Sequence, residues 1–143
     1  MSVTKLIVDY EYDFLLLGII GQLKEYKLAW YLNRILGVEL IKDEELSYEF
    51  IKGEKMLVSN FIFEKEYDTI RLLKNRAVEA EKMVKPFLIP ELKEYDFFLH
   101  IEGESDPEDL IPNIEDKLKG IPNILYVSKI DVENLKSRDN LIY

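Results

Sequence analysis

His100 is the only histidine in the sequence, and histidine is the side chain most often used for acid–base chemistry. Strand alternation through the aromatic-rich run 96–101 puts it on the same side as Phe98 and Glu102. A histidine beside Glu102 or Glu104 has the parts to move protons or to hold a metal ion. Such a site needs company: a nucleophile, further ligands or a cofactor motif. The sequence places none beside it. His100 therefore reads as an ordinary strand residue on a half-wet face. The chain has no cysteine, which excludes disulfides, thiolate metal sites and a cysteine nucleophile.

The second candidate is Glu102-Gly103-Glu104-Ser105-Asp106-Pro107-Glu108-Asp109. Alternating carboxylates suggest calcium. A calcium loop, however, needs oxygen ligands at fixed spacings, a mid-loop glycine and a distal bidentate glutamate. Here the glycine comes second and a proline interrupts the run. Helix capping accounts for Ser105, Asp106, Glu108 and Asp109 without a metal.

The third is Gly18-Ile19-Ile20-Gly21, between a buried strand and a helix. Glycine-rich turns of this kind cradle phosphate with backbone N–H groups. This one lacks both the dinucleotide spacing and the P-loop lysine. Close packing of strand on helix is the plainer explanation, and a ligand-binding turn at Gly18 and Gly21 the sharper one.

The fourth is a stripe at helical spacing, Lys24, Lys27, Tyr31 and Arg34, flanked by Trp30 and Tyr26. A basic stripe with aromatics suits an anion, an acidic partner or RNA. A solvated helix face is the plainer reading.

Charge narrows these options. Acidic residues outnumber basic ones 28 to 19, for a net charge of −9. That field repels phosphate backbones and disfavours nucleic acid. Between Glu91 and Asp116 the acids are opposed by Lys93 alone. Such a run is normally a solvated surface; a basic partner or a divalent cation is the alternative.

The elements that must position these residues follow from periodicity and punctuation. Short strands are expected at 6–8 and 14–20, the second closed by Gly18 and Gly21. A helix over 23–36 sets Leu28, Leu32, Ile35 and Leu36 on one side and stops at Gly37. Strands follow at 38–41, 47–51, 55–66 and 69–75, with turns at Gly53 and at Tyr67-Asp68. A short helix over 76–85 ends at Pro86. The strand at 96–101 leads to a helix start at Ser105-Asp106-Pro107. Leu110, Ile111, Ile114 and Leu118 share its face, and Gly120 stops it. Pro112 would cost about 3 kcal/mol inside that helix. Either the first turn is separate or the helix begins near Ile111. A strand at 124–130 is last, followed by a turn over 132–136 capped by Asp131, and Leu141-Ile142-Tyr143 is apolar enough to dock.

Glu11-Tyr12-Asp13-Phe14 recurs 83 residues later as Glu94-Tyr95-Asp96-Phe97, and Leu16, Glu25, Gly37 and Ile41 find Leu99, Glu108, Gly120 and Ile124 at the same spacing. This suggests two strand–helix–strand units, by duplication or because one architecture imposes the pattern twice. The 143 residues make one α+β domain, residues 1–143. The expected form is a two-layer sandwich, a mostly antiparallel sheet with helices on one face, ferredoxin-like or ACT-like.

The start of the chain shows no signal-peptide pattern, and the longest apolar run, 14–20, is far short of the ~20 residues of a membrane-spanning helix. The expectation is a cytoplasmic protein without membrane contact.

Ile89-Pro90-Glu91, followed after three residues by Tyr95-Asp96-Phe97, resembles the signature of the IPExxxVDY family of Bacteroidetes. Tyr95 stands where the signature has valine and Phe97 where it has tyrosine. The segments at Asp13-Phe14-Leu15-Leu16-Leu17-Gly18 and Leu28-Ala29-Trp30 are similar to that family too. The resemblance implies a small stand-alone cytoplasmic protein and brings no activity with it. The residues have a structural reading of their own. Pro90 fixes φ and holds Ile89 extended, Glu91 is placed to accept backbone N–H groups, and Asp96 opens a buried strand.

The reading that fits these observations is a non-catalytic interaction protein without a cofactor. Its partner is an unidentified protein, a second copy of the chain being one candidate. The candidate surface is Lys24, Lys27, Trp30, Tyr31 and Arg34. A small-ligand regulatory domain using the Gly18–Gly21 turn is the alternative. An acid–base or metal enzyme built on His100 is the weakest.

Overall fold

The computed structural model describes residues 14–83 and 86–143. The strand expected at 6–8 and the repeat residues Glu11, Tyr12 and Asp13 lie outside them.

The first described element, β1 (Leu15–Gly21), is apolar throughout because both of its faces are covered. It runs straight through Gly18, which therefore does not close the strand. A Cβ there would meet the Tyr95 ring at 2.6 Å, so the glycine makes room for that ring. Helix α1 (Glu25–Leu36) buries Leu28, Ala29 and Leu32. It ends as expected at Gly37, left-handed at φ 67°, whose N–H reaches the Asn33 carbonyl at 3.1 Å.

The strand expected at 38–41 shrinks to β2 (Ile41–Lys42). Asn33 is the reason. Its side-chain oxygen accepts the Leu40 N–H at 2.7 Å and its amide donates to the Leu40 carbonyl at 3.2 Å, taking the place of a neighbouring strand. β3 (Leu46–Glu49) and β4 (Lys55–Val58) form the hairpin expected around Gly53. The run 55–66 is not one strand. It breaks at Ser59, and β5 (Asn60–Lys65) enters a different sheet from β4. β6 (Asp68–Lys74) returns beside β5 through a turn at Glu66 and Tyr67.

The helix expected at 76–85 is absent from the described residues there. Arg76 bridges to Phe87, and β7 (Glu79–Glu81) pairs with β4. The Val78 N–H donates to the Leu57 carbonyl at 2.8 Å and the Ala77 N–H to the Pro86 carbonyl at 2.8 Å. A waiting strand edge outweighs local helix propensity. β8 (Phe97–Gly103) follows. Pro112 then makes the first helical turn a separate one. α2 (Pro107–Leu110), capped by Asp106 through the Glu108 N–H at 2.9 Å, is parted from α3 (Ile114–Lys119) by an extended Ile111 and a left-handed Asn113. β9 (Ile124–Lys129) completes the strands. Single 3-10 turns, Val132–Asn134 and Arg138–Leu141, lead into the tail.

The main sheet has the order β2-β5-β6-β8-β1-β9, every neighbour antiparallel, and β3-β4-β7 form a second sheet. The α+β class is as expected. The inner order β6-β8-β1-β9, with crossings through α1 and through α2–α3, is that of a split strand–helix–strand arrangement, the ferredoxin-like form. The helices lie on one face, where Leu17, Ile19, Leu72 and Leu99 meet Leu28, Leu32, Ile114 and Leu118. The opposite face, with Leu16, Leu73 and Phe98, is covered by Met56 and Val58 of the second sheet and by Leu88, Ile89, Val132 and Leu141.

Two strand–helix–strand passages are thus present, but the spacing of 83 does not superimpose them. Leu16 faces the second sheet and Leu99 the helices. A one-residue slip exchanges the faces of a strand. The matched glycines differ as well: Gly37 is left-handed and Gly120 right-handed.

Candidate functional site

On the outward side of α1 the stripe read from the sequence is assembled largely as expected. Lys24 is the N-cap residue, and Lys27, Trp30 and Arg34 are exposed along the helix. Trp30 is 49% exposed and lies between two cations. The Lys27 Nζ is 5.3 Å from its ring centroid and the Arg34 guanidinium 4.8 Å. Tyr31 meets Trp30 edge-on at 5.1 Å but turns its body toward the core, so it supports the surface more than it forms it. Tyr26, 64% exposed, extends the surface by one turn.

The one acid of this helix is not on that surface. The Ser59 hydroxyl donates to the Glu25 carboxylate at 2.7 Å and in turn accepts from Lys42. Sequence reading missed this Glu25–Ser59–Lys42 chain. The only signal was a polar Ser59-Asn60 pair in an apolar run. A serine beside a lysine and a carboxylate suggests a nucleophile, but the hydroxyl is fully buried and committed to both neighbours. It bridges two opposite charges at the point where the chain passes from one sheet to the other.

His100 is likewise fully buried, not half-wet. It opposes Leu16 on β1 and Arg71 on β6. The Phe14 ring lies edge-on at 4.1 Å and the Tyr143 ring at 5.4 Å. Neither ring nitrogen has a hydrogen-bond partner. Burial, seconded by the Arg71 charge, pushes the imidazole down to about 3. The side chain is neutral and closed off from solvent, and neither Glu102 nor Glu104 hydrogen-bonds to it. Around it, Arg71 lies 4.5 Å from the Tyr143 ring centroid, and Tyr48 donates to the Asn140 carbonyl at 2.7 Å. Burial raises the Tyr48 phenol above its ordinary range despite the pull of Arg71.

The Ile89-Pro90-Glu91 and Asp96 positions act as ties. Ile89 is buried and Pro90 starts a 3-10 turn. Glu91 accepts the Ser137 N–H at 2.8 Å and so holds the tail. Partial burial would raise its carboxyl, but backbone N–H groups of Glu91, Ser137 and Lys136 outweigh that and hold it below the usual range. Asp96 accepts the Gly21 N–H at 2.9 Å, which joins this segment to the turn before α1. The organiser of the segment is a residue the sequence did not announce. Buried Asn75 donates to the Leu92 and Tyr95 carbonyls at 2.9 and 3.0 Å and accepts the Ile89 N–H at 3.0 Å.

Gly18 and Gly21 are therefore separated in role: the first packs inside the sheet, and only the second lies at the turn. In the acidic run, Ser105 donates twice to Asp68, and among the described residues no three acids or histidines converge on a metal position. Among the described residues no helix is long and apolar enough to cross a membrane. No family model matches the chain, and no curated protein matches it in sequence.

Proposed function

We propose that this is a non-catalytic protein-interaction domain of the cytoplasm, which receives an acidic segment of a partner protein on the outward face of α1. One observation carries the reading. Trp30 stands half exposed between Lys27 and Arg34 on a helix whose only acid is turned inward, in a chain of net charge −9. An exposed aromatic held between cations gives an interface both apolar area and charge complementarity, the features that concentrate binding energy and speed encounter. The buried state of His100 removes the main support for an enzyme.

The test is capture from lysate of the source organism at moderate salt, with nuclease present. It is run with the native chain and with Lys24, Lys27 and Arg34 changed to glutamate. A partner that survives nuclease, elutes as salt rises and is lost on charge reversal supports the proposal. Trp30 is the sole tryptophan, so its emission should also shift when that partner is added. Capture that is equal for both chains, or capture of nothing by either, overturns it.

A further inference from the structure

A second feature lies at the end of the main sheet where β1 and β6 finish and β8 begins. A cleft of about 370 Å³ opens there between Gly21 and Leu23 on one side and the Arg76–Phe87 bridge on the other. Its size is that of a small-molecule site. Three cations from separate stretches of the chain line it: Lys74 at the end of β6, Arg76 just beyond, and Lys93 after the 3-10 turn. Lys93 is the one base within the acidic run 91–116, yet it is set here beside two other bases. No ion pair or side-chain hydrogen bond joins any of the three to a carboxylate among the described residues. The single carboxylate of the lining, Asp96, is engaged with the Gly21 N–H.

Three positive charges are thus gathered at one cleft in a chain whose acids outnumber its bases 28 to 19. The walls add a shape. Phe87 and Tyr95 belong to the lining, and the Arg76 guanidinium is held 5.6 Å from the Phe87 centroid. Helix α1 starts two residues after Leu23, and no side chain caps it, so the positive end of its dipole lies on the same side.

We infer that this cleft binds a small phosphomonoester, its phosphate among Lys74, Arg76 and Lys93 and its flat or apolar body against Phe87 and Tyr95. A doubly charged phosphate matches three cations and one engaged carboxylate, and guanidinium and ammonium groups together are suited to it. A polymeric nucleic acid fits poorly, because the cleft is small and the remainder of the surface repels it.

The experiment titrates the intact protein with phenyl phosphate and with inorganic phosphate, following backbone amide resonances by NMR. The expected result is saturable binding of phenyl phosphate, tighter than that of inorganic phosphate, with the largest shifts at Gly21, Leu23 and Lys93. Changing Arg76 and Lys93 together to glutamine should weaken binding about tenfold or more. Both residues are exposed, and a melting curve confirms that the fold is kept. Absence of saturation at concentrations of roughly 10 mM, corresponding to very weak affinity, overturns the inference. Binding unchanged in the double variant does the same. Equal affinity for the two probes overturns the assignment of Phe87 and Tyr95. Reversing the charges of Lys27 and Arg34, which lie along α1 away from its first residue, should leave phenyl phosphate binding intact, which separates this site from the α1 surface.

Discussion

The two faces of the main sheet solve burial in different ways. Toward the helices, Leu17, Ile19, Leu72 and Leu99 pack in an apolar cluster with Leu28, Leu32, Ile114 and Leu118, the polar ties of α1 lying at Glu25 and Asn33 near its ends. That interface is non-directional, and any side chain of the right volume satisfies it. Toward the second sheet and the tail, Leu16, Leu73 and Phe98 share the layer with fully buried His100 and Asn75. There, position is set by hydrogen bonds with named partners, and Asn75 and His100 mark its extremes. The amide and carbonyl of Asn75 are both used; the nitrogens of His100 are not. One face is held by volume and the other by specification, so substitutions should divide them.

The largest effect is expected on the helix side. Leu99→Ala should cost about 3 kcal/mol in urea unfolding, while Leu99→Met should cost about 1 kcal/mol. If the two cost the same, that face is as specified as the other and the contrast collapses. On the second face, Asn75→Ala should cost about 2–3 kcal/mol, because the Ile89 N–H and the Tyr95 carbonyl lose their side-chain partner and the Leu92 carbonyl keeps only the Tyr95 N–H. Asn75→Leu should do no better despite its apolar volume, and hydrogen exchange should show the segment around residues 88–96 opening first.

His100 tests the same face in the opposite sense. His100→Phe should stabilise by about 1 kcal/mol at neutral pH, by removing two unpartnered polar atoms while keeping a ring beside Phe14 and Tyr143. It should also change the pH dependence. The folded imidazole titrates at about 3 and the unfolded one near 6.5, so the unfolded state binds the proton first. Stability is full above pH 6.5 and falls as pH drops toward 3. The variant should lose that one-proton slope in melting curves taken across the window. The smallest effect belongs to neither face: Trp30→Ala, on the outside of α1, should change stability by less than about 0.5 kcal/mol. A greater loss would mean that Trp30 serves the core.

Locally determined chemistry was readable in the sequence. Gly37 as a helix stop, Gly53 in a hairpin, the Asp106-Pro107 helix start and the break forced by Pro112 all depend on a residue and its near neighbours. What failed depended on distant partners. The run 76–85 carries helix-forming residues, yet its fate is decided by the open edge of β4. The break at Ser59 depends on Glu25 and Lys42. His100 seemed half-wet because alternation assumes one solvated face. The unbroken Phe97-Phe98-Leu99 run around it was the clue that β8, like β1, is covered on both. Of the candidate surface, the α1 stripe was legible because one helix carries it. The cleft was not, because Lys74, Arg76 and Lys93 come from separate parts of the chain.

The place of β1 in the sheet has a consequence for how the protein is made. Leu17 is paired with Leu99 on one side and with Lys129 on the other. Translation delivers about 5–20 residues per second, so β1 leaves the ribosome on the order of 5–20 s before its second neighbour exists. Until β8 has also been made, Leu15–Gly21, the most apolar of the described strands, has no strand to pair with. The nascent chain is obliged to shelter it, on α1 or on a chaperone, and synthesis is therefore the stage at which this protein is most exposed to aggregation.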